Sequence, residues 1–334
     1  MKPISSLTDI TPQQFINEIV PQRQPVVFKG LVEHWPAVQL RNSSVQFSQY
    51  LREIDSGQPC YTIVGPPDVN GRLFYGTDLK GVNFAKTNAS IGSALDHIAA
   101  QNEAPKPHAI AVQAAKVKDA MPRFAQTHTF SLLSEVEPTF WLSNQSIVAP
   151  HFDLFDNIAC VVHGRRQFTL FPPEQISNLY IGPTLDAPGG VPISTVDTRN
   201  PDLDQHPRYA QALENAQSAV LEAGDALYIP SPWWHGVESK DPLNLLVNYW
   251  WSSTGEPYLP ANKSLLHAML SIGRLPKAER LAWRSFFDYL VFKVDHDPTE
   301  HLPHNLHDVV TELTEEQLAT VLNHLNTLQP KTKT

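Results

Sequence analysis

Ala149-Pro150-His151-Phe152-Asp153, followed by the apolar run Asn157-Ile158-Ala159-Cys160-Val161-Val162-His163-Gly164, decides the reading of this 334-residue chain. Side chains at i and i+2 of a strand point to one face. The pattern therefore predicts that His151 and Asp153 reach a common ion. A third ligand lies far downstream in Trp233-Trp234-His235. Two histidines and a carboxylate form the set that holds non-haem Fe(II) and leaves positions open for substrate chemistry. His-x-Asp is a weak signal alone in a chain with 14 histidines. A half-buried strand with one hydrogen-bonded histidine is the plain competing account, so the flanks have to decide.

They read as strands. The run 157–164 ends in a glycine turn, and Gln167-Phe168-Thr169-Leu170-Phe171 is halted by Pro172-Pro173. Gly224-Asp225-Ala226-Leu227-Tyr228-Ile229-Pro230 gives a turn and a short strand ahead of His235, and 244–251 is a further strand. Strand, turn, strand with a ligand at each end is how an antiparallel barrel builds a metal site in its mouth.

Composition sets the bounds. The chain is 42% hydrophobic and 18% charged, ordinary for a globular protein with a large core. Its 29 prolines against 15 glycines suit a β-rich fold with rigid loops. A net charge of −9 argues against a non-specific nucleic-acid surface. Cys60 and Cys160 make no CxxC or disulfide framework, and Cys160 lies in a strand read as buried. The first ten residues lack the basic and apolar regions of a signal peptide, and no run reaches membrane-spanning length. The expected compartment is cytoplasmic, with no membrane partner.

Before the barrel, Thr11-Pro12 opens a capped helix with Pro at N1. Pro25-Val26-Val27-Phe28-Lys29-Gly30 reads as a strand, as do 61–64, Leu73-Phe74-Tyr75 and 109–113. Helices are expected over 44–53 and 90–101. A long polar, proline-rich insertion, roughly 179–216, has a short helix near 209–216; such loops are usually functional. Beyond Pro260 the pattern turns helical over 264–272, 277–294 and 307–328, with Leu281, Phe286, Phe287, Leu290 and Val291 at helical spacing. These helices are more apolar than one face needs, so they are expected to pack on the barrel or on a second copy. The tail histidines His296, His301, His304 and His307 are loosely spaced, with no Cys or carboxylate pair, and read as surface residues.

The ordered blocks His151-Phe152-Asp153, Gly164-Arg165-Arg166-Gln167-Phe168-Thr169-Leu170-Phe171-Pro172-Pro173, Gly224 to Pro230 and Trp233-Trp234-His235 resemble the cupin-like JmjC oxygenases, in particular those of the factor-inhibiting-HIF asparaginyl hydroxylase type. Val196-Asp197-Thr198-Arg199-Asn200-Pro201-Asp202 in the insertion has a similar counterpart, and the resemblance covers most of 20–252. It implies a mainly β fold with helices: a double-stranded β-helix (cupin or jelly-roll, JmjC-like) core over 121–256, an N-terminal mixed α/β elaboration over 1–120, and a C-terminal helical segment over 257–334 that pairs two protomers into a homodimer. It implies Fe(II) on His151, Asp153 and His235, with 2-oxoglutarate and O2 as cosubstrates. The activity implied is hydroxylation of a C–H bond on a protein or peptide side chain, or on a small amide-bearing or modified-nucleoside substrate, with release of succinate and CO2.

By the same resemblance Arg166, where the family usually carries Lys, meets the distal carboxylate of 2-oxoglutarate, and a guanidinium can do so bidentately. Asn157 and Asn248 match amides near the cosubstrate or iron, and Gln113 matches a substrate-contacting glutamine. Two positions depart from the pattern. Val148 stands in place of a Thr hydroxyl and Ala111 in place of a Tyr, with Tyr75 expected to compensate in part. These departures keep open the alternative of a non-catalytic or differently reacting metal-binding cupin module. Histone-type demethylation is also open, although no strongly basic tail accompanies the barrel.

Overall fold

The computed structural model describes residues 1–184, 187–253, 259–303 and 313–326. Two compact units divide the chain, Met1–Glu256 and Pro257–Thr334. The larger is built on eight strands: β1 (Thr139–Ser143), β2 (Ser146–His151), β3 (Asp156–His163), β4 (Arg166–Phe171), β5 (Gln217–Leu221), β6 (Ala226–Ile229), β7 (Trp234–Ser239) and β8 (Asn244–Trp251). They pair antiparallel as β6-β3-β8-β1 and β5-β4-β7-β2, the strand order of a jelly roll.

N-terminal strands extend both sheets. Val26–Phe28 and Ser5–Leu7 continue beyond β6, while Ala109–Lys116, Cys60–Gly65 and Ala85–Ala89 continue beyond β1. Lys2–Pro3 and Arg72–Leu73 flank the smaller sheet. The expected strand at Leu73-Phe74-Tyr75 is shorter than the sequence suggests, pairing in parallel with β2 only through Arg72 and Leu73.

The unbroken apolar run of β3 has a physical cause: the strand is buried on both faces. Ala159 and Val161 point between the sheets, where they meet Phe168, Leu170, Leu221 and Leu227. Ile158, Cys160 and Val162 face the other way, into a second core with Phe47 and Leu51 of helix Ser44–Ile54, Leu95 of helix Ile91–Ala99, and Trp35. Each Val, Leu, Ile or Phe among them contributes roughly 1.5–3 kcal/mol on burial. Both cysteines are free and buried.

Several local expectations hold in altered form. Thr11 and Gln14 form a capping box, but the helix continues as a wider π turn, Phe15–Ile19, which buries Phe15 and Ile19. The insertion after β4 carries helix Tyr209–Asn215, and Leu179, Val196, Tyr209 and Ala212 pack with Phe171 and Trp234. In the smaller unit the described helices are Ala261–Leu270, Lys277–Leu290 and Glu315–Asn326. The third starts where Thr314 accepts from the Gln317 amide N–H at 3.2 Å. His304, His307 and the outer parts of the expected helix 307–328 lie outside the described residues, while His296 and His301 are exposed. No helix among the described residues is long and apolar enough to cross a membrane.

The turn between β3 and β4 depends on Gly164, which sits at φ +73°. A Cβ there would stand 2.6 Å from the Leu243 carbonyl and against the Asn244 side chain. Gly164→Ala is expected to destabilise the larger unit by about 1–3 kcal/mol, read as a lower urea midpoint with an unchanged slope.

Candidate metal centre

The register between β2 and β7 sets His151 directly opposite His235, with ring centroids 4.3 Å apart. The pairing slips between His235 and Val237, where β2 carries an extra residue. Pro150, which has no N–H to lose from the ladder, lies in that bulge. Each histidine donates from Nδ1 to a carbonyl two residues back: His151 to Ala149 at 3.0 Å, His235 to Trp233 at 3.2 Å. That fixes both rings with Nε2 free for a ligand. Burial, reinforced by His151 and opposed by Asp153, pushes His235 down to about 4. It is therefore neutral at pH 7, the state that binds metal.

Asp153 joins them by a different route from the one expected. β2 ends at His151, so the strand pleat does not present the carboxylate. Asp153 lies in the short connection to β3, and its backbone carbonyl accepts from Ser231 Oγ at 2.9 Å. Its Oδ2 stands 3.6 Å from His235 Nε2 and accepts from Trp250 Nε1 at 3.2 Å and Asn157 Nδ2 at 3.4 Å. One donor atom from each of His151, Asp153 and His235 falls within 4.8 Å of the others, the one such cluster of His, Cys, Asp or Glu among the described residues.

The cluster opens into a cavity of about 510 Å³ between the sheets, whose wall includes Arg166, Asn157, Asn248, Gln113, Val148 and Trp250. Asn248 Nδ2 donates to Asn157 Oδ1 at 2.7 Å, leaving Asn248 Oδ1 buried and unpartnered. Arg166 is buried at 6% exposure; one arm donates to the Trp141 carbonyl at 3.3 Å and Nε has no partner. No carboxylate neutralises it among the described residues, and burial draws its pKa down to about 9. A cation stranded in a cavity beside a metal-ligand cluster fits a small carboxylic acid that chelates the metal with its other end.

Tyr75 requires correction. Its hydroxyl donates to the Pro183 carbonyl at 2.8 Å, and its ring is so close to Gly182 that a Cβ there would stand 2.6 Å from it. It clamps the insertion and is not among the residues lining the cavity. Ala111 packs with Ile63, Leu73 and Ala109. Of the two departures, Val148 alone lines the cavity. Trp250 was missed from sequence, although it stands two residues after Asn248 on β8 and so shares its face.

The cupin-like domain family matches residues 12–256. The chain belongs to that family, as a cupin-like protein of the JmjC type. It is 36% identical over 139 residues to lysine-specific demethylase JMJ31 of Arabidopsis thaliana, across 40% of this chain and 24% of that protein. It is 35% identical over 122 residues to HSPB1-associated protein 1 of Homo sapiens, across 34% and 23%. With tRNA wybutosine-synthesizing protein 5 of Gallus gallus the identity is lower, 24%, but covers 77% of this chain and 78% of the relative. The matched region thus spans about a quarter of the first two relatives.

A buried charge without a counter-charge is costly, so an apolar chain of similar length in its place is neutral or stabilising. Arg166→Met is therefore expected to keep or raise the urea-unfolding stability of the metal-free protein. A marked loss of stability would mean that the guanidinium is already compensated.

Proposed function

We propose that this protein is an Fe(II)- and 2-oxoglutarate-dependent dioxygenase that hydroxylates a C–H bond of a protein side chain or a small amide-bearing substrate. The observation that carries the reading is the unpaired Arg166 guanidinium in the same cavity as the His151, Asp153 and His235 cluster. In this reading the three side chains hold the metal and Arg166 anchors the distal carboxylate of the oxo-acid. Asn157 and Asn248 fix the space between, and Gln113 meets the substrate at the wall. Bound Fe(II) and 2-oxoglutarate supply the activation of O2, with succinate and CO2 as coproducts; the protein supplies placement and exclusion of water.

The mouth argues for an uncharged target. Phe84, Ala114, Leu154, Phe155, Pro188 and Val191 contribute to it, and among the described residues Arg166 and Asp153 are the only formally charged side chains on the cavity wall. A polyanion such as the tRNA of one relative's name calls for basic residues there, and a cationic lysine for acidic ones. A neutral protein side chain needs neither. The reading includes a cytoplasmic location, in keeping with two free cysteines.

Under anaerobic conditions Fe(II) plus 2-oxoglutarate should give a weak visible charge-transfer band, and admission of O2 should release succinate even without substrate. Asp153→Ala should abolish both. Succinate formation that survived this change would remove Asp153 from the ligand set.

We further propose that the C-terminal helices pair two copies of the chain. On helix Lys277–Leu290 the apolar residues Trp283, Phe286 and Leu290 are 44%, 57% and 43% exposed, at the i, i+3, i+7 spacing of one face. Sedimentation is expected to give a dimer for the full chain and a monomer for Phe286→Glu combined with Leu290→Glu. A monomeric parent chain would refute the pairing.

A further inference from the structure

We propose that Trp250 is the positioning residue that holds the Asp153 carboxylate facing His235, in the cluster that would hold the metal. The need for such a residue follows from where Asp153 lies. Past the end of β2 no ladder fixes it, and the next two side chains, Leu154 and Phe155, are 40% and 49% exposed. Phe152 packs edge-on against Trp234 and Ser231 Oγ donates to the Asp153 carbonyl, which anchors the backbone of the connection and leaves the carboxylate itself to be fixed by other groups.

What restrains the carboxylate comes from across the cavity. In the β3–β8 ladder Asn157 stands directly opposite Trp250, and both donate to the same atom, Asp153 Oδ2, at 3.4 Å and 3.2 Å. This oxygen is also the one 3.6 Å from His235 Nε2. Two donors opposite each other in register thus converge on the oxygen that faces the histidines.

They are not equal. The Asn157 amide is shared, because its oxygen accepts from Asn248, and its bond to Asp153 is the longer. The carboxylate can only accept, which fixes the direction of the whole amide chain: Asn248 to Asn157 to Asp153. The indole has one N–H and two side-chain torsions, and its ring packs edge-on against Trp141 at 6.0 Å. It is the stiffer and nearer donor. Rotating the carboxylate away from this position would break both bonds. Held as it is, Asp153 would offer Oδ2 to an ion shared with the two histidines.

The inference rests on the metal reading of the cluster, and Co(II) binding by the full metal-free chain tests the two separately. Titration with Co(II) alone, followed by visible absorption and by a competing chelator, should give one tight site in the unmutated protein and none in Asp153→Ala. Failure there would overturn the metal reading itself. In Trp250→Phe, which keeps ring packing and loses the N–H, the affinity is expected to fall about 10- to 100-fold, with a changed d–d band and a melting temperature for the metal-free protein like that of the parent. Trp35→Phe, which loses an indole N–H bonded to the Thr129 carbonyl and lies outside the cavity lining, should bind as the parent does. Parent-like affinity and spectrum in Trp250→Phe would overturn the assignment. Should that variant fail to fold, Asn157→Ala decides. A loss under about threefold supports Trp250 as the main restraint; a loss as large as that of a ligand deletion overturns it.

Discussion

The site depends on one register, that between β2 and β7, which sets His151 across from His235. Side chains alternate with period two, so a slip of one residue would send one histidine to the far face of the sheet. Burial on the inner face of the neighbouring strands prevents the slip. β7 lies between β2 and β4, and Phe168 and Leu170 of β4 are locked between the sheets with Ala159, Val161 and Leu246. The bulge at Pro150 is the local adjustment that brings β2 back into phase beyond the histidine pair. Hydrophobic packing thus fixes a geometry that packing does not itself use.

How far this was legible in the sequence depends on the length scale of the cause. Strand existence was legible because proline and glycine punctuate it: Gly164, Pro172 and Pro230 bound the strands that carry or flank the cluster. That His151, Asp153 and the distant His235 come together was legible for the same reason. The means of presenting Asp153 were not. The i, i+2 rule assumes that the strand continues, and β2 stops at His151; what replaces the pleat is a pair of donors about one hundred residues apart in sequence. Tyr75 failed in the same way. A tyrosine near the barrel mouth offers a hydroxyl, but the close approach of Gly182 draws it under the insertion, where Pro183 takes the bond. Long-range hydrogen bonds have no local signature, whereas turns and periodicity do.

Arg166 shows what function asks of the fold. A guanidinium between two sheets, with one weak carbonyl contact and no counter-charge among the described residues, is a cost that the surrounding apolar core must offset. The family's usual Lys carries its charge on a flexible stem and sheds its proton more readily when buried. Arg stays ionised even with its pKa drawn down to about 9, so the cavity keeps a permanent cation at neutral pH. Its planar fork also selects for a carboxylate over a rounder anion. With Val148 offering no hydroxyl to the cavity, the guanidinium would, under the proposed function, carry more of the acid's binding than a lysine assisted by such a group.

The charges then fall in an order that constrains the reaction. Arg166 is 6% exposed, the Asp153 side chain 26%, and Phe155 at the rim 49%. Moving outward, the cavity passes from a fixed cation to the His151, Asp153 and His235 cluster to an apolar lip. Under the proposed function, an anionic cosubstrate would pass the lip to the cation, where desolvation strengthens its pairing. A neutral target would have no charge to compete for Arg166 and would gain from the lip alone. The same order would then separate two reactants, with charge selecting the acid inside and apolar contact the target outside. A target that covered the lip last would exclude water from the cluster, tying the choice of substrate to the protection of the chemistry.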